Sequence, residues 1–172
     1  MTIITGDRGT GKTTFLCAYL DAFKRRGITV GGTASPAVLQ NDERVGYDCL
    51  DLRRGTRVPL ARVGPTPLAA TVTVGRYWFD ADALAAGTAA ILAAVRDGVP
   101  AVAIDEIGPL ELAGQGWAAA LEFSLHNSTE EQEIILVIRS SALPAVVQRF
   151  PSPLWSRARR WSPPWPALET LA

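Results

Sequence analysis

The sequence predicts an α/β fold, with a mainly parallel twisted sheet, helices on both faces and an inserted β-hairpin. Three observations predict it. A short β-branched run, Thr2 to Thr5, leads through a Gly-rich segment into a helical pattern. Apolar strand-like runs then alternate with Ala- and Leu-rich helical stretches, the pattern of strands joined by crossover helices. Between residues 43 and 63 the alternation changes to a period of two, with a polar break at Arg53-Arg54-Gly55-Thr56.

Residues 2–5 read as a buried strand. From Lys12 the residues Phe15, Leu16, Tyr19, Leu20 and Phe23 form one apolar helical face, Lys24-Arg25-Arg26 suit the negative helix end, and Gly27 stops the helix. Residues 28–33 are the second strand. Val45, Tyr47 and Cys49, then Val58, Leu60 and Val63, make the two arms of the hairpin. Gly64-Pro65-Thr66-Pro67 is a loop and residues 71–79 are a further strand. A helix over 80–97, a strand over 99–104, a helix over 117–126, a strand over 133–138 and a short helix over 142–150 complete the pattern. Residues 1–150 are expected to form one domain. Residues 151–172 are a tail, packed on that domain or extending from it; its prolines forbid a regular helix, and Trp155, Trp161 and Trp165 are expected to cover apolar surface of the domain.

Bulk properties narrow the function. The 172 residues carry 17 Lys+Arg against 17 Asp+Glu, so the charge balance argues against non-specific nucleic-acid binding. No apolar run reaches the ~20 residues of a membrane span, and no secretory leader is visible. Two cysteines and one histidine supply neither a disulfide framework nor a zinc site. The expectation is a cytoplasmic enzyme. Residues 97–138 hold eight acids and no Lys or Arg, and 139–165 hold five Arg and no acid, which reads either as a partner surface or as two solvated faces.

The chemistry starts at Gly6-Asp7-Arg8-Gly9-Thr10-Gly11-Lys12-Thr13, which fits G-x-x-x-x-G-K-[ST] and is followed by Thr14. Such a loop turns its N–H groups inward around phosphate oxygens, and the helix after it points its positive end at them. Residues 6–14 are therefore the nucleotide-binding candidates. Lys12 adds charge at the β- and γ-phosphates, and the Thr13 hydroxyl is a ligand for Mg²⁺. Ala101-Val102-Ala103-Ile104-Asp105 places a carboxylate, Asp105, at the carboxyl end of a buried strand beside the loop, where it can hold Mg²⁺ through water. On an extended chain the next residue, Glu106, faces the other way, toward a nucleophile. There it orients water, or in a kinase accepts a hydroxyl proton. Arg139 ends the apolar strand over 134–138 and is either a γ-phosphate contact or a surface cation. Arg53, Arg54 and Arg57 are further phosphate candidates, and Cys17 and Cys49 are packing residues. No Asn-Lys-x-Asp segment encodes guanine recognition.

The segments GDRGTGKTT, RVGYDCLDLRRGTRVPLAR (44–62), VGRYWFD (74–80) and AIDEIGPLEL (103–112) resemble, in order and spacing, the small thermophile-type nucleoside-triphosphatases, also called cancer-related nucleoside-triphosphatases. The resemblance spans about residues 1–150. It implies a RecA-like P-loop fold and slow Mg²⁺-dependent hydrolysis of ATP, GTP and other triphosphates to diphosphate and phosphate, with broad base tolerance. It carries functional roles onto Gly6, Gly11, Lys12, Thr13, Asp105 and Glu106. This sequence departs from the family at Pro36-Ala37-Val38-Leu39, where an acidic-Val-Arg stretch is usual, and at Pro109, where Lys is common. The alternatives are a small-molecule kinase on the same loop and a nucleotide-dependent switch or adaptor without turnover.

Overall fold

In the computed structural model, which describes residues 1–64 and 70–167, one ten-stranded sheet organises the chain. The strands are β1 (Thr2–Gly6), β2 (Val30–Ala34), β3 (Ala37–Gln40), β4 (Glu43–Asp51), β5 (Arg57–Val63), β6 (Ala70–Val74), β7 (Tyr77–Asp80), β8 (Ala101–Ile107), β9 (Glu133–Arg139) and β10 (Arg159–Trp161). The helices are α1 (Lys12–Arg25), α2 (Ala81–Arg96), the single turn α3 (Pro109–Leu112), α4 (Ala118–Asn127) and α5 (Leu143–Arg149). The order across the sheet is β10-β1-β9-β8-β2-β4-β5-β7-β6, with β3 paired to β4.

The sheet has two halves. From β10 to β2 all pairings are parallel. From β2 outward all are antiparallel. Inside the exposed edge strand β10, the parallel half is buried on both faces, so the middles of β1, β8 and β9 are apolar and divide their side chains by parity. Ile3, Val102, Ile104, Ile134, Leu136 and Ile138 enter the core beneath α2, α4 and α5. Ile4, Ala101, Ala103, Ile135 and Val137 enter the core beneath α1, with Phe15, Leu16, Tyr19 and Leu20. On α2, Gly87 leaves room for Trp117: a Cβ there would sit 2.4 Å from the indole ring.

The structure adds detail at three points. The sheet is mixed, with the parallel strands and helices expected and an antiparallel part larger than one hairpin. The inserted hairpin, β4 and β5, is the centre of an antiparallel extension that also holds β3, β6 and β7. The single strand expected over 71–79 is itself a hairpin, because Gly75 adopts a φ of +58° and reverses the chain between β6 and β7. In the sheet, β9 lies between β8, which bears Asp105, and β1, which leads into the phosphate loop. The run 64–67 expected as a loop falls mostly outside the described residues. Beyond residue 150 the chain makes a 3₁₀ turn (Pro153–Arg157) and then returns as β10, parallel to β1. Trp155 donates its indole N–H to the Phe150 carbonyl (2.7 Å). Among the described residues no helix is long and apolar enough to cross a membrane.

Candidate active site

The parallel strands β1, β8 and β9 end on the same side, and their carboxyl ends carry the candidate residues, as expected of an open α/β sheet. The loop between β1 and α1 turns through Gly9 (φ +83°) and Gly11 (φ +78°), backbone angles open to glycine at no steric cost. α1 starts from Gly11 with no side-chain cap and no acid in its first turn. Its leading N–H groups thus face the loop without a side-chain partner, the arrangement that receives an anion. Lys12 Nζ donates to the Asp7 carbonyl at 2.9 Å, and the Thr10 hydroxyl donates to the same oxygen at 2.9 Å. Burial lowers the Lys12 pKa, opposed first by Glu106, with Arg139 acting in the lowering direction.

A cleft of about 660 Å³ opens over this loop. Arg8, Gly9, Gly11, Lys12, Thr13 and Thr14 line it from the loop side, and Glu106 and Arg139 from the ends of β8 and β9. Gly6 lies beneath the loop: a Cβ there would meet the Thr10 hydroxyl at 2.7 Å. Asp7 is exposed, and Thr10 is held from behind by Trp165, whose indole N–H donates to the Thr10 carbonyl at 2.7 Å. Trp165 also stacks on Phe15 of α1 (centroids 4.6 Å apart, planes at 13°). Arg53, Arg54 and Arg57 do not reach the cleft; they pair with Asp97, Asp51 and Asp48. Cys17 is half-buried and lines the cleft, while Cys49 is buried in the core.

Asp105 is fully buried and accepts hydrogen bonds from the Ser35 and Glu106 N–H groups, both at 2.8 Å. Burial pushes its carboxyl up to about 7, with Glu106 adding to the rise; the Ser35 N–H, the Thr13 hydroxyl and the Glu106 N–H oppose it. Next to it the Ser35 hydroxyl is buried without a hydrogen-bond partner and lines the cleft. These features fit a hard divalent cation: a carboxylate, a Thr hydroxyl and an orphaned Ser hydroxyl offer oxygen donors. No cluster of three or more His, Cys, Asp or Glu suited to a metal occurs among the described residues, so such an ion would take its remaining ligands from phosphate and water.

Glu106 does not obey simple strand alternation. Its φ is +62°, and the β8–β9 register shifts between Ile104 and Ile107. A non-glycine residue in the left-handed region is strained, and here the turn re-aims the carboxylate into the cleft. A second carboxylate, which the sequence did not mark as functional, supports that turn. Glu111 is buried and accepts from the Gly108 N–H (2.7 Å) and the Trp117 N–H (2.8 Å). Burial raises its pKa to about 7 against those hydrogen bonds. Trp117 donates its indole N–H to the Asp105 carbonyl (3.1 Å), which ties the same unit to β8. The available signal was Gly108-Pro109-Leu110-Glu111, a proline at the first helical position followed by an acid two residues on.

Residues 1–153 match a protein-family model described as NTPase. The chain is 33% identical to the nucleoside-triphosphatase THEP1 of Methanopyrus kandleri, covering 84% of this chain and 77% of that protein. It is 40% identical to the THEP1 protein of Thermofilum pendens over 64% of this chain and 59% of that protein. The solution structure of a human cancer-related nucleoside triphosphatase superposes with a TM-score of 0.67 at 26% identity, covering 94% of this chain and 87% of that one.

Proposed function

Because the chain belongs to the NTPase family, we propose that it hydrolyses nucleoside triphosphates to diphosphate and phosphate, with Mg²⁺ as the metal ion. The observation that carries this reading is Glu106: a strained left-handed residue at the end of β8 puts a carboxylate on the wall of the cleft that Lys12 also lines. The relatives' names, each specifying a nucleoside-triphosphatase, support it.

In this reading residues 6–14 wrap the phosphates through their N–H groups, and Lys12 exchanges the Asp7 carbonyl for phosphate oxygens. Thr13 and Asp105 would hold the Mg²⁺, which would offset the charge of the triphosphate. Glu106 orients a water in line with the γ-phosphorus and takes its proton. The water oxygen bonds to phosphorus as the bond to the bridging oxygen breaks, and the diphosphate leaves. Lys12 and Arg139 balance the charge that shifts onto the phosphate oxygens. The cytoplasm is the matching place for the reaction, where triphosphates are available and the free thiols Cys17 and Cys49 stay reduced.

Phosphate release from ATP, GTP, CTP and UTP with Mg²⁺ tests the reading. Glu106→Gln is expected to lower release by about 100-fold or more while nucleotide affinity is retained. A wild-type protein that binds triphosphate without releasing phosphate above background overturns it.

A further inference from the structure

A second cavity, of about 240 Å³, adjoins the phosphate cleft. The two share Arg8, Tyr47, Glu106, Pro109 and Arg139. Beyond those residues the chemistry of the walls changes. Tyr77, Phe79 and Trp117 add aromatic surface to that of the shared Tyr47, and Leu60 and Leu84 supply aliphatic surface. The Tyr47 and Tyr77 rings lie 5.3 Å apart and tilted at 59°.

Cations face these rings. Arg8 donates to the Tyr77 hydroxyl at 3.0 Å. Arg76, exposed to solvent, donates to the same hydroxyl at 3.5 Å, and its guanidinium lies 5.4 Å from the ring centre. Burial of the Tyr77 phenol is outweighed by Arg76 and Arg8, so its pKa falls below the ordinary value. The two carboxylates on the wall are Glu106 and Glu111, and both Glu111 oxygens are already engaged by N–H groups. Three arginines therefore meet one free carboxylate.

Hydrolysis asks for a space of about 30 Å³ beside Glu106, the volume of one water. The cavity is several times larger, yet below the roughly 300–1,000 Å³ of pockets for drug-sized molecules. Its size admits a single ring or a small fused pair. Its faces favour a planar π-system, and its arginines favour a negative charge.

We propose that this cavity is a second ligand site, taking a small planar aromatic anion whose ring lies among Tyr47, Tyr77, Phe79 and Trp117 and whose charge pairs with Arg76. An occupant ends against Glu106, so it displaces the nucleophilic water and slows hydrolysis without competing for the triphosphate. That effect on turnover rests on the role of Glu106 given above; the binding does not.

The test uses saturation-transfer NMR on the full chain, with 4-hydroxybenzoate and indole-3-carboxylate as probes, each beside its neutral amide. At least one acid is expected to bind at about millimolar concentration, its amide about tenfold more weakly, and the acid to stay bound when a non-hydrolysable triphosphate analogue is added. Arg76→Gln is expected to weaken the acid about tenfold, and Leu84→Trp, which fills the cavity, to abolish its binding, both with nucleotide affinity unchanged. The site is overturned if neither acid binds at about 5 mM, if the analogue displaces the acid, or if Arg76→Gln leaves its affinity unchanged. Binding that follows these expectations while phosphate release is unaffected upholds the site and counts against water activation by Glu106.

Discussion

Glu111 and Glu106 divide the work at the end of β8. Glu106 presents a carboxylate to the cleft from a left-handed backbone, and Glu111 holds the turn that keeps it there through the Gly108 and Trp117 N–H groups. Glu111→Ala leaves two buried donors unpaired, so stability is expected to fall by about 2–5 kcal/mol, read by denaturant unfolding. Turnover should fall with it, more than nucleotide affinity does. Glu111 also makes stability depend on pH. Its folded pKa of about 7 lies above the ordinary value of 4.5, so the folded state holds the proton more tightly in that window. The contribution is fully present below about pH 4.5 and is lost as pH rises toward 7. Wild type is therefore expected to lose stability relative to Glu111→Gln across that range; parallel curves for the two proteins would show that the carboxyl titrates as it does unfolded. Sequence reading singled out Lys12, Thr13, Asp105 and Glu106 as candidates because their spacing follows from phosphate chemistry, and the fold gathers them around one cleft. It passed over Glu111 and Trp117, whose roles rest on a fold that brings residues 105, 108, 111 and 117 together.

The elements of the parallel half were legible for a simple reason. Strands buried on both faces carry short continuous apolar runs, and β1, β8 and β9 do: Ile3-Ile4, Ala101 to Ile104 and Ile134 to Ile138, with polar residues at the ends that face the cleft or the preceding turn. The antiparallel half was less so. β3 is short and half-exposed, and β6 and β7 read as one run until Gly75 is seen to turn between them. β2 was recognised, but its composition, Val-Gly-Gly-Thr-Ala, is weak for a strand. The reason lies next door. Gly32 pairs with Ala103 of β8 at a φ of +85°, and a Cβ there would stand 2.0 Å from the Ala103 carbonyl oxygen. Gly32→Ala must part β2 from β8, the strands that carry the approach to Ser35 and Asp105. We expect a loss of about 3 kcal/mol or more in unfolding free energy, with nucleotide binding weakened in whatever fraction folds.

At the scale of the molecule, the phosphate loop is held by residues far from it in sequence. β10 pairs with β1, Pro163 packs at Gly6, and Trp165 bonds the Thr10 carbonyl. The prolines of this segment predicted the absence of a helix and concealed a strand of three residues. Trp165→Phe keeps a ring against Phe15 and removes the donor to Thr10, so the KM for triphosphate should rise about fivefold with kcat little changed. Trp165→Leu removes the stack as well and should raise KM further; an unchanged KM in both variants would show that the indole only covers surface. The hydrogen bond from Trp165 to Thr10 joins residues 155 positions apart. A ribosome working at about 5–20 residues per second makes the loop roughly 8–30 s before it makes the indole that braces it. On a nascent chain the loop therefore waits, unbraced, while the rest of the sheet is synthesised. Full affinity for a triphosphate arrives only once the sheet has gained β10 and the indole beyond it, so the loop binds more weakly before that point than after it.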